Sequence, residues 1–388
     1  RPNSINISNQ NIIKSKYVSQ ILENKQFNPR IVFLNSSSEN TNNNKKSQYV
    51  ILWQELNPNT NKTQIIGSWY NLGMEQLRPS MEISYDANQQ FNMVAESNSS
   101  DFVNEFIVVW FKVHSQDDDI CELVFQVIED GKKRKVFDIP IDNIYIPSKN
   151  NQNISVKYIG QNNYFITWVG NKDNSDNFNI YGLVVDSYGN NLSNIIYLNQ
   201  EIEGQETYSN PEILLIDQNL NNQNIKLCVL FEKEDAQDES SSQLYSILNW
   251  DREGLAIIDK NVDFEGQPSI IKNNYSLIRT INNQKLYKFN YNKDFKINSN
   301  LLYEIDDDDD NNKIIDFYVD PNNNKYLFYK FLGENSLHNI RIKILDQNNE
   351  LVFEKIIIQN KSNLSSFTSS KSEFSNIVCT YQENNRIE

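Results

Sequence analysis

Short apolar runs, each closed by an aromatic residue, punctuate the chain at residues 49–53, 106–110, 164–168, 227–231, 285–289, 325–329 and 377–381. Their aromatic ends, from Trp53 to Tyr381, stand 57, 58, 63, 58, 40 and 52 residues apart, the period of a repeat architecture. Runs of five residues bounded by Asn, Asp and Gly clusters predict strands rather than helices. A hairpin pattern follows each run, clearest over residues 179–197 and 340–353. Each unit of about 55 residues then predicts one four-stranded antiparallel sheet that buries its faces against its neighbours.

The period also predicts closure. From Tyr381 around the termini to Trp53 is 60 residues, one more unit. The last run leaves no room for a hairpin before Glu388, and the missing strands appear at residues 5–22. The expectation is an all-β, seven-bladed β-propeller of four-stranded antiparallel blades, closed by a blade shared between the termini, which removes exposed sheet edges. Residues 1–388 form a single domain in this reading. Residues 1–26 supply the outer strands of the closing blade and 361–388 its inner strands. The blades between them span 27–86, 87–146, 147–206, 207–263, 264–309 and 310–360.

Composition agrees with an all-β chain. Twenty Tyr and 20 Phe favour strands, while 11 Gly and 9 Pro are few for so many turns. Asn and Asp take over the turns, as at 320–325 and 346–350, because they tolerate left-handed backbone and bond it locally. The load of Asn, Gln, Ile, Lys, Tyr and Phe is that of A/T-rich coding, so the Asn runs are loop filler.

An apolar run ending in Trp, then an Ile-Tyr-Gly strand, then an Asp-x-x-Gly turn recurs in part. It is fullest at Trp168, Ile180-Tyr181-Gly182 and Asp186-Ser187-Tyr188-Gly189, and weaker at residues 65–73 and at Glu129-Asp130-Gly131. This pattern resembles the propeller-forming repeats of secreted and surface-attached bacterial adhesin-like proteins. The resemblance implies an extracellular propeller and no particular activity. Gly-His and Trp-Asp repeat pairs, double-Gly kelch marks and Asp-x-Asp-x-Asp-Gly calcium loops are all missing from the sequence.

The chemistry is sparse. His114 and His338 are the two histidines, and neither stands beside a Gly-x-Ser-x-Gly elbow; no phosphate-binding Gly-x-x-x-x-Gly-Lys loop is present. No catalytic or cofactor-binding residue is assigned, and the chain is expected not to be an enzyme. Paired carboxylates drawn from different blades are the one catalytic chemistry left open. A net charge of −15 argues against nucleic acid as a partner. No run is apolar enough to insert in a membrane. The chain starts at Arg1 without Met, as expected of a processed product or a segment of something longer.

Three cysteines give no disulfide framework. Asn-x-Ser/Thr sequons at Asn6, Asn35, Asn61, Asn98, Asn153, Asn191, Asn274, Asn360 and Asn363 make N-linked glycans and a secretory route the expectation. Acidic loops should make one face strongly negative. Asp117, Asp118, Asp119, Asp306, Asp308 and Asp310 are the places for weak calcium binding, since clustered carboxylates are hard-oxygen ligands. The basic cluster Lys132-Lys133-Arg134-Lys135 could dock on that face of a neighbouring molecule, giving self-association or a filament. Trp53, Trp110 and Trp168 belong between blades; Trp69 and Trp250 are the candidates for surface contact. The leading expectation is therefore a noncatalytic extracellular structural or adhesive propeller, part of a larger surface protein. The alternatives are a ligand- or carbohydrate-binding, carbohydrate-active propeller and an intracellular scaffold.

Overall fold

The computed structural model describes residues 25–34, 48–57, 62–71, 73–84, 90–98, 104–114, 117–139, 144–145, 153–171, 178–199, 206–219, 224–235, 241–251, 254–264, 268–271, 277–281, 285–291, 297–304, 313–319, 324–333, 337–362, 364–371, 377–383 and 386–387. The fold is all-β, a series of antiparallel up-and-down sheets of the kind that form propeller blades. Sheet one holds β1 (Lys25–Leu34), β2 (Gln48–Asn57), β3 (Lys62–Asn71) and β4 (Met81–Glu82). Sheet two holds β5 (Gln90–Ser97), β6 (Glu105–His114), β7 (Asp117–Glu129) and β8 (Lys132–Asp138), with β9 (Ile144–Tyr145) continuing the outer edge of β7. Sheet three holds β10 (Ile154–Gly160), β11 (Asn163–Gly170), β12 (Asn179–Asp186) and β13 (Ile196–Tyr197). Sheet four holds β14 (Glu206–Asn219), β15 (Asn224–Asp235), β16 (Ser241–Asp251) and β17 (Gly254–Phe264).

Sheets one to four belong to one compact unit, Glu23–Gln267 with Ser370–Val378. Their packing explains the apolar runs. Phe106, Val108 and Trp110 of β6 turn toward sheet one, whereas Ile107, Val109 and Phe111 turn toward sheet three. In β11 Tyr164, Ile166 and Trp168 join the core shared with sheet two, and Phe165 and Val169 the core shared with sheet four. Both faces of a middle strand are dry, so its sequence is continuously apolar rather than alternating. Trp53, Trp110 and Trp168 are all buried, and Trp168 stacks on Tyr181 with ring centres 5.6 Å apart. Trp69, expected at the surface, is instead wholly buried in β3 with the Arg78 guanidinium 5.0 Å from its ring. The third strand still lies between two sheets, so its inward positions are core. Trp250 is half-buried and packs on the core of sheets three and four.

The second unit includes Pro268–Ser369 and Cys379–Glu388. Its sheets are β18 (Pro268–Ile271), β19 (Leu277–Ile281), β20 (Lys285–Tyr291) and β21 (Ile297–Glu304), then β22 (Lys313–Val319), β23 (Lys325–Leu332), β24 (His338–Leu345) and β25 (Leu351–Lys361). Each keeps all four strands. The irregular spacing around Phe289 has a topological cause: residues 285–289 lie in β20, the third strand of its sheet, whereas the other aromatic runs lie in second strands. The second strand is β19, and its end, Ile281, falls 50 residues after Phe231 and 48 before Tyr329. The last sheet contains β26 (Leu364–Lys371), β27 (Ile377–Glu383) and β28 (Arg386–Ile387). It thus has three C-terminal strands where two were expected; residues 1–24, assigned to its outer strands, lie outside the described residues. Leu364 and Tyr381 pack against Ile340 and Ile358 of the preceding sheet.

One turn recurs under different sequences. Over residues 71–75, 186–190 and 346–350 the first residue's backbone N–H donates to the fifth carbonyl, and the fourth N–H to the first carbonyl. A side-chain oxygen of Asn71, Asp186 or Asp346 accepts the fifth residue's N–H. The fourth residue is left-handed each time: Met74 at φ 62°, Gly189 at 94° and Asn349 at 67°. At Gly189 a Cβ would stand 2.0 Å from the Phe137 ring of sheet two, so this turn also needs glycine for space.

Cys121 and Cys228 are buried in β7 and β15, and Cys379 is half-buried in β27; none of the three forms a disulfide. Burial, and then Asp316, push the Cys379 thiol well above its ordinary value.

Trp168→Ala should lower stability by about 3–5 kcal/mol, the usual loss for emptying a large aromatic site, read as a fall in urea midpoint. Met74→Gly should raise stability by roughly 1 kcal/mol by removing a left-handed Met, detectable in the same titration.

Candidate functional site

The polar positions of the first unit gather where first strands begin and second strands end. In β1 the register passes from Phe27 opposite Gln54 to Arg30 opposite Leu52, leaving Asn28 and Pro29 facing Trp53. In β5 it passes from Phe91 opposite Phe111 to Val94 opposite Val109, leaving Asn92 and Met93 facing Trp110. In β14 it passes from Ser209 opposite Glu232 to Glu212 opposite Leu230, leaving Asn210 and Pro211 facing Phe231. Three first strands therefore carry the same β-bulge, each opposite the aromatic end of its second strand. The leading residue is left-handed in all three, with φ of 50°, 54° and 51° at Asn28, Asn92 and Asn210. Asn adopts this conformation at lower cost than other side-chain-bearing residues, and the bulge re-aims its amide.

Asn28 donates to Gln54 Oε1 at 2.6 Å and Asn210 donates to Glu232 Oε2 at 2.7 Å. In sheet two the corresponding place after Trp110 is held by Phe111, which cannot accept a hydrogen bond, and the buried Asn92 Nδ2 has no partner among the described residues.

Around the first two bulges these groups join into a seam between sheets one and two. Gln54 Nε2 donates to the Gln90 carbonyl at 2.8 Å, and the Thr63 hydroxyl both donates to that carbonyl and accepts the Gln90 N–H, each at 2.6 Å. The buried Glu55 carboxylate accepts from the Trp53 indole and the Gln64 amide, both at 3.3 Å. Gln90 is fully buried, yet neither its Oε1 nor its Nε2 has a partner among the described residues. Half-buried Arg30 follows the first bulge, and its guanidinium donates to the adjacent Pro29 carbonyl at 3.1 Å. Burial lowers its pKa from the ordinary value. Amides, a hydroxyl, a carboxylate and a guanidinium at adjoining strand ends suit a polar, multiply hydrogen-bonding ligand.

Of the calcium and glycosylation candidates singled out in the sequence, none lies in this seam. Asp306, Asp308 and Asp310 are outside the described residues, and Asp117, Asp118 and Asp119 open β7. Among the described residues no three His, Cys, Asp or Glu side chains form a metal-binding group. Asn6, Asn35, Asn61, Asn274 and Asn363 are also outside, Asn191 and Asn360 are exposed, and Asn98 and Asn153 are buried. Asn98 donates to Glu105 Oε1 and to Asn162 Oδ1, so its amide is engaged inside the fold, where a glycan has no room. His114 ends β6 and His338 starts β24.

Two of the four residues of the basic cluster, Lys133 and Arg134, are engaged with their own fold. Lys133 donates to the Glu82 carbonyl of sheet one, and Arg134 donates to the Ser187 carbonyl of sheet three at 2.6 Å while pairing with Glu129 at 2.7 Å. Arg134 also reaches buried Glu105 at 3.3 Å, and the Tyr164 hydroxyl donates to the same carboxylate at 3.0 Å. Burial and Glu105 push the Tyr164 phenol far above its ordinary value, so it stays neutral and serves as a fixed donor. This second polar cluster ties sheets two and three together. The bulges escaped the sequence reading because lone Asn residues carry no signal in so Asn-rich a chain. The usable sign is Asn-Pro, at 28–29 and 210–211, ahead of an apolar run.

No family model matches the chain, and no curated protein matches it. Among solved structures it is similar to an α-L-arabinanase of Penicillium chrysogenum complexed with arabinobiose, at 11% identity over 84% of this chain and 99% of that one, with TM-score 0.46. It is also similar to a GH93 α-L-arabinofuranosidase of Fusarium graminearum, at 8% identity over 82% and 92%, with TM-score 0.44. A third is the β-propeller domain of the trilobed protease from Pyrococcus furiosus, at 12% identity over 94% and 91%, with TM-score 0.43. These findings correct the expectation of a noncatalytic structural or adhesive domain that is not an enzyme: two of the three are glycoside hydrolases, and none is an adhesin. With TM-scores of 0.43–0.46, no substrate, site or mechanism carries from them to this chain.

Gln54→Leu should cost about 1–3 kcal/mol, because it strips the Asn28 amide and the Gln90 carbonyl of a partner in a buried setting; chemical denaturation measures it.

Proposed function

We propose that the bulged strand ends of sheets one, two and four form a carbohydrate-binding, carbohydrate-active site. The observation that carries this reading is the fully buried Gln90 amide with neither end bonded, two residues before half-buried Asn92, whose Nδ2 also lacks a partner among the described residues. Buried polar groups are nearly always satisfied, and leaving one bare costs about 1–3 kcal/mol, so such groups mark a place where something else binds. Sugar hydroxyls donate and accept at once, which matches a row of primary amides. Glu55 and Glu232, on the second strands of sheets one and four, are the carboxylates assigned to acid and base work on a glycosidic bond. Each already accepts a hydrogen bond from a neighbouring side chain, which fixes its orientation.

An extracellular setting belongs to the same reading. The exposed sequons Asn191 and Asn360 support it, since a glycan there meets no packed neighbour. Among the described residues no helix is long and apolar enough to cross a membrane.

A panel of neutral and acidic oligosaccharides, read by calorimetry and then by release of reducing sugar, tests the proposal. Binding is expected, with hydrolysis of at least one bound sugar. Glu55→Gln and Glu232→Gln should each cut that hydrolysis by 100-fold or more while leaving binding measurable. A panel without a single binder would overturn it. Intact mass before and after glycosidase treatment of natively produced protein should show sugar at Asn191 or Asn360 and none at Asn98.

A further inference from the structure

We infer that the ligand of this site carries a carboxylate, received by Arg30. The inference rests on the carbohydrate reading above and narrows it to acidic sugars.

The other arginines whose side chains are described are all engaged. Arg78 donates to the Asp130 carbonyl and covers Trp69. Arg134 pairs with Glu129 and Glu105, and Arg341 pairs with Glu354 at 2.7 Å. Arg30 has no acidic partner among the described residues; its one bond goes to the carbonyl of its own chain neighbour. A guanidinium offers five donors in a planar fork, so most of this one is unused. The chain holds 51 acidic residues against 36 basic ones, and an arginine left unpaired in that company is unusual. A half-buried charge without a counter-ion is costly, and an arriving anion removes that cost.

Placement makes the charge useful. Arg30 stands two residues after Asn28, and a continuous chain of bonds runs from Asn28 through Gln54 to the Gln90 backbone on the adjacent first strand. The unbonded amides of Gln90 and Asn92 begin that strand. A carboxylate taken in the fork of Arg30 would leave the sugar's hydroxyls within the same seam as those amides. A singly charged group also suits the surroundings better than a phosphate. Glu55 lies in the seam and the whole chain carries −15, which disfavours a doubly charged ligand more.

The test compares matched pairs, such as galacturonate with galactose oligosaccharides and glucuronate with glucose oligosaccharides, by calorimetry on the full chain. The acidic member should bind roughly 10- to 100-fold tighter, the range of a charge-assisted bidentate bond. Arg30→Gln should abolish that preference, bringing the acidic member's affinity down to that of its neutral match, while Arg30→Lys should keep part of it. Melting curves of both variants show whether they fold; should Arg30→Gln fail, Arg30→Lys and the wild-type pair comparison still decide. Equal affinity for both members, or a preference that survives Arg30→Gln, would overturn the inference and leave the carbohydrate site standing. Competition by inorganic phosphate at millimolar concentration would likewise overturn it in favour of a phosphate ligand. Absence of binding by either member would overturn the carbohydrate reading and this one with it.

Discussion

The first unit depends on sheets that bury both faces at once. A strand such as β6 shares alternate side chains between two cores, and neither core is complete without the next sheet. This requirement fixes the apolar middle of every second strand and the aromatic residue at its end. It also pushes polar chemistry out to the strand ends, where the sheets diverge from that packing. The candidate site is therefore a consequence of the core: the bulges sit opposite Trp53, Trp110 and Phe231, where a bulky ring meets the first strand.

The middle strands were legible in the sequence because a doubly buried strand is a continuous apolar run, and five residues of that kind are hard to mistake. The exception is instructive. Residues 285–289 look like the other runs but occupy β20, while the true second strand, β19, ends in Ile281 without an aromatic mark. Trp69 was misjudged for a related reason. It lies in a third strand, and a third strand is as enclosed as a second wherever a neighbouring sheet covers it.

The site itself was hardly legible. Asn28, Asn92 and Asn210 are three among a great many asparagines, and what sets them apart is a positive φ and a register shift, neither of which composition encodes. Glu105 was equally hidden, since its partners Tyr164, Asn98 and Arg134 come from other strands. Local chemistry is visible along a chain; chemistry assembled across sheets is not. Several of the cross-sheet bonds, from Arg78, Lys133 and Arg134, end on backbone carbonyls, so the receiving residue's identity leaves no trace either.

The order of strands has a consequence for synthesis. In each four-stranded sheet every strand pairs with its neighbours in sequence, so each can form as soon as its own fifty-odd residues have left the ribosome. Contacts of such short range favour rapid, sequential formation. A nascent chain would then carry one bare sheet face at a time, covered by the next sheet to emerge. Translational pausing inside a sheet would prolong that exposure, whereas pausing between sheets would not.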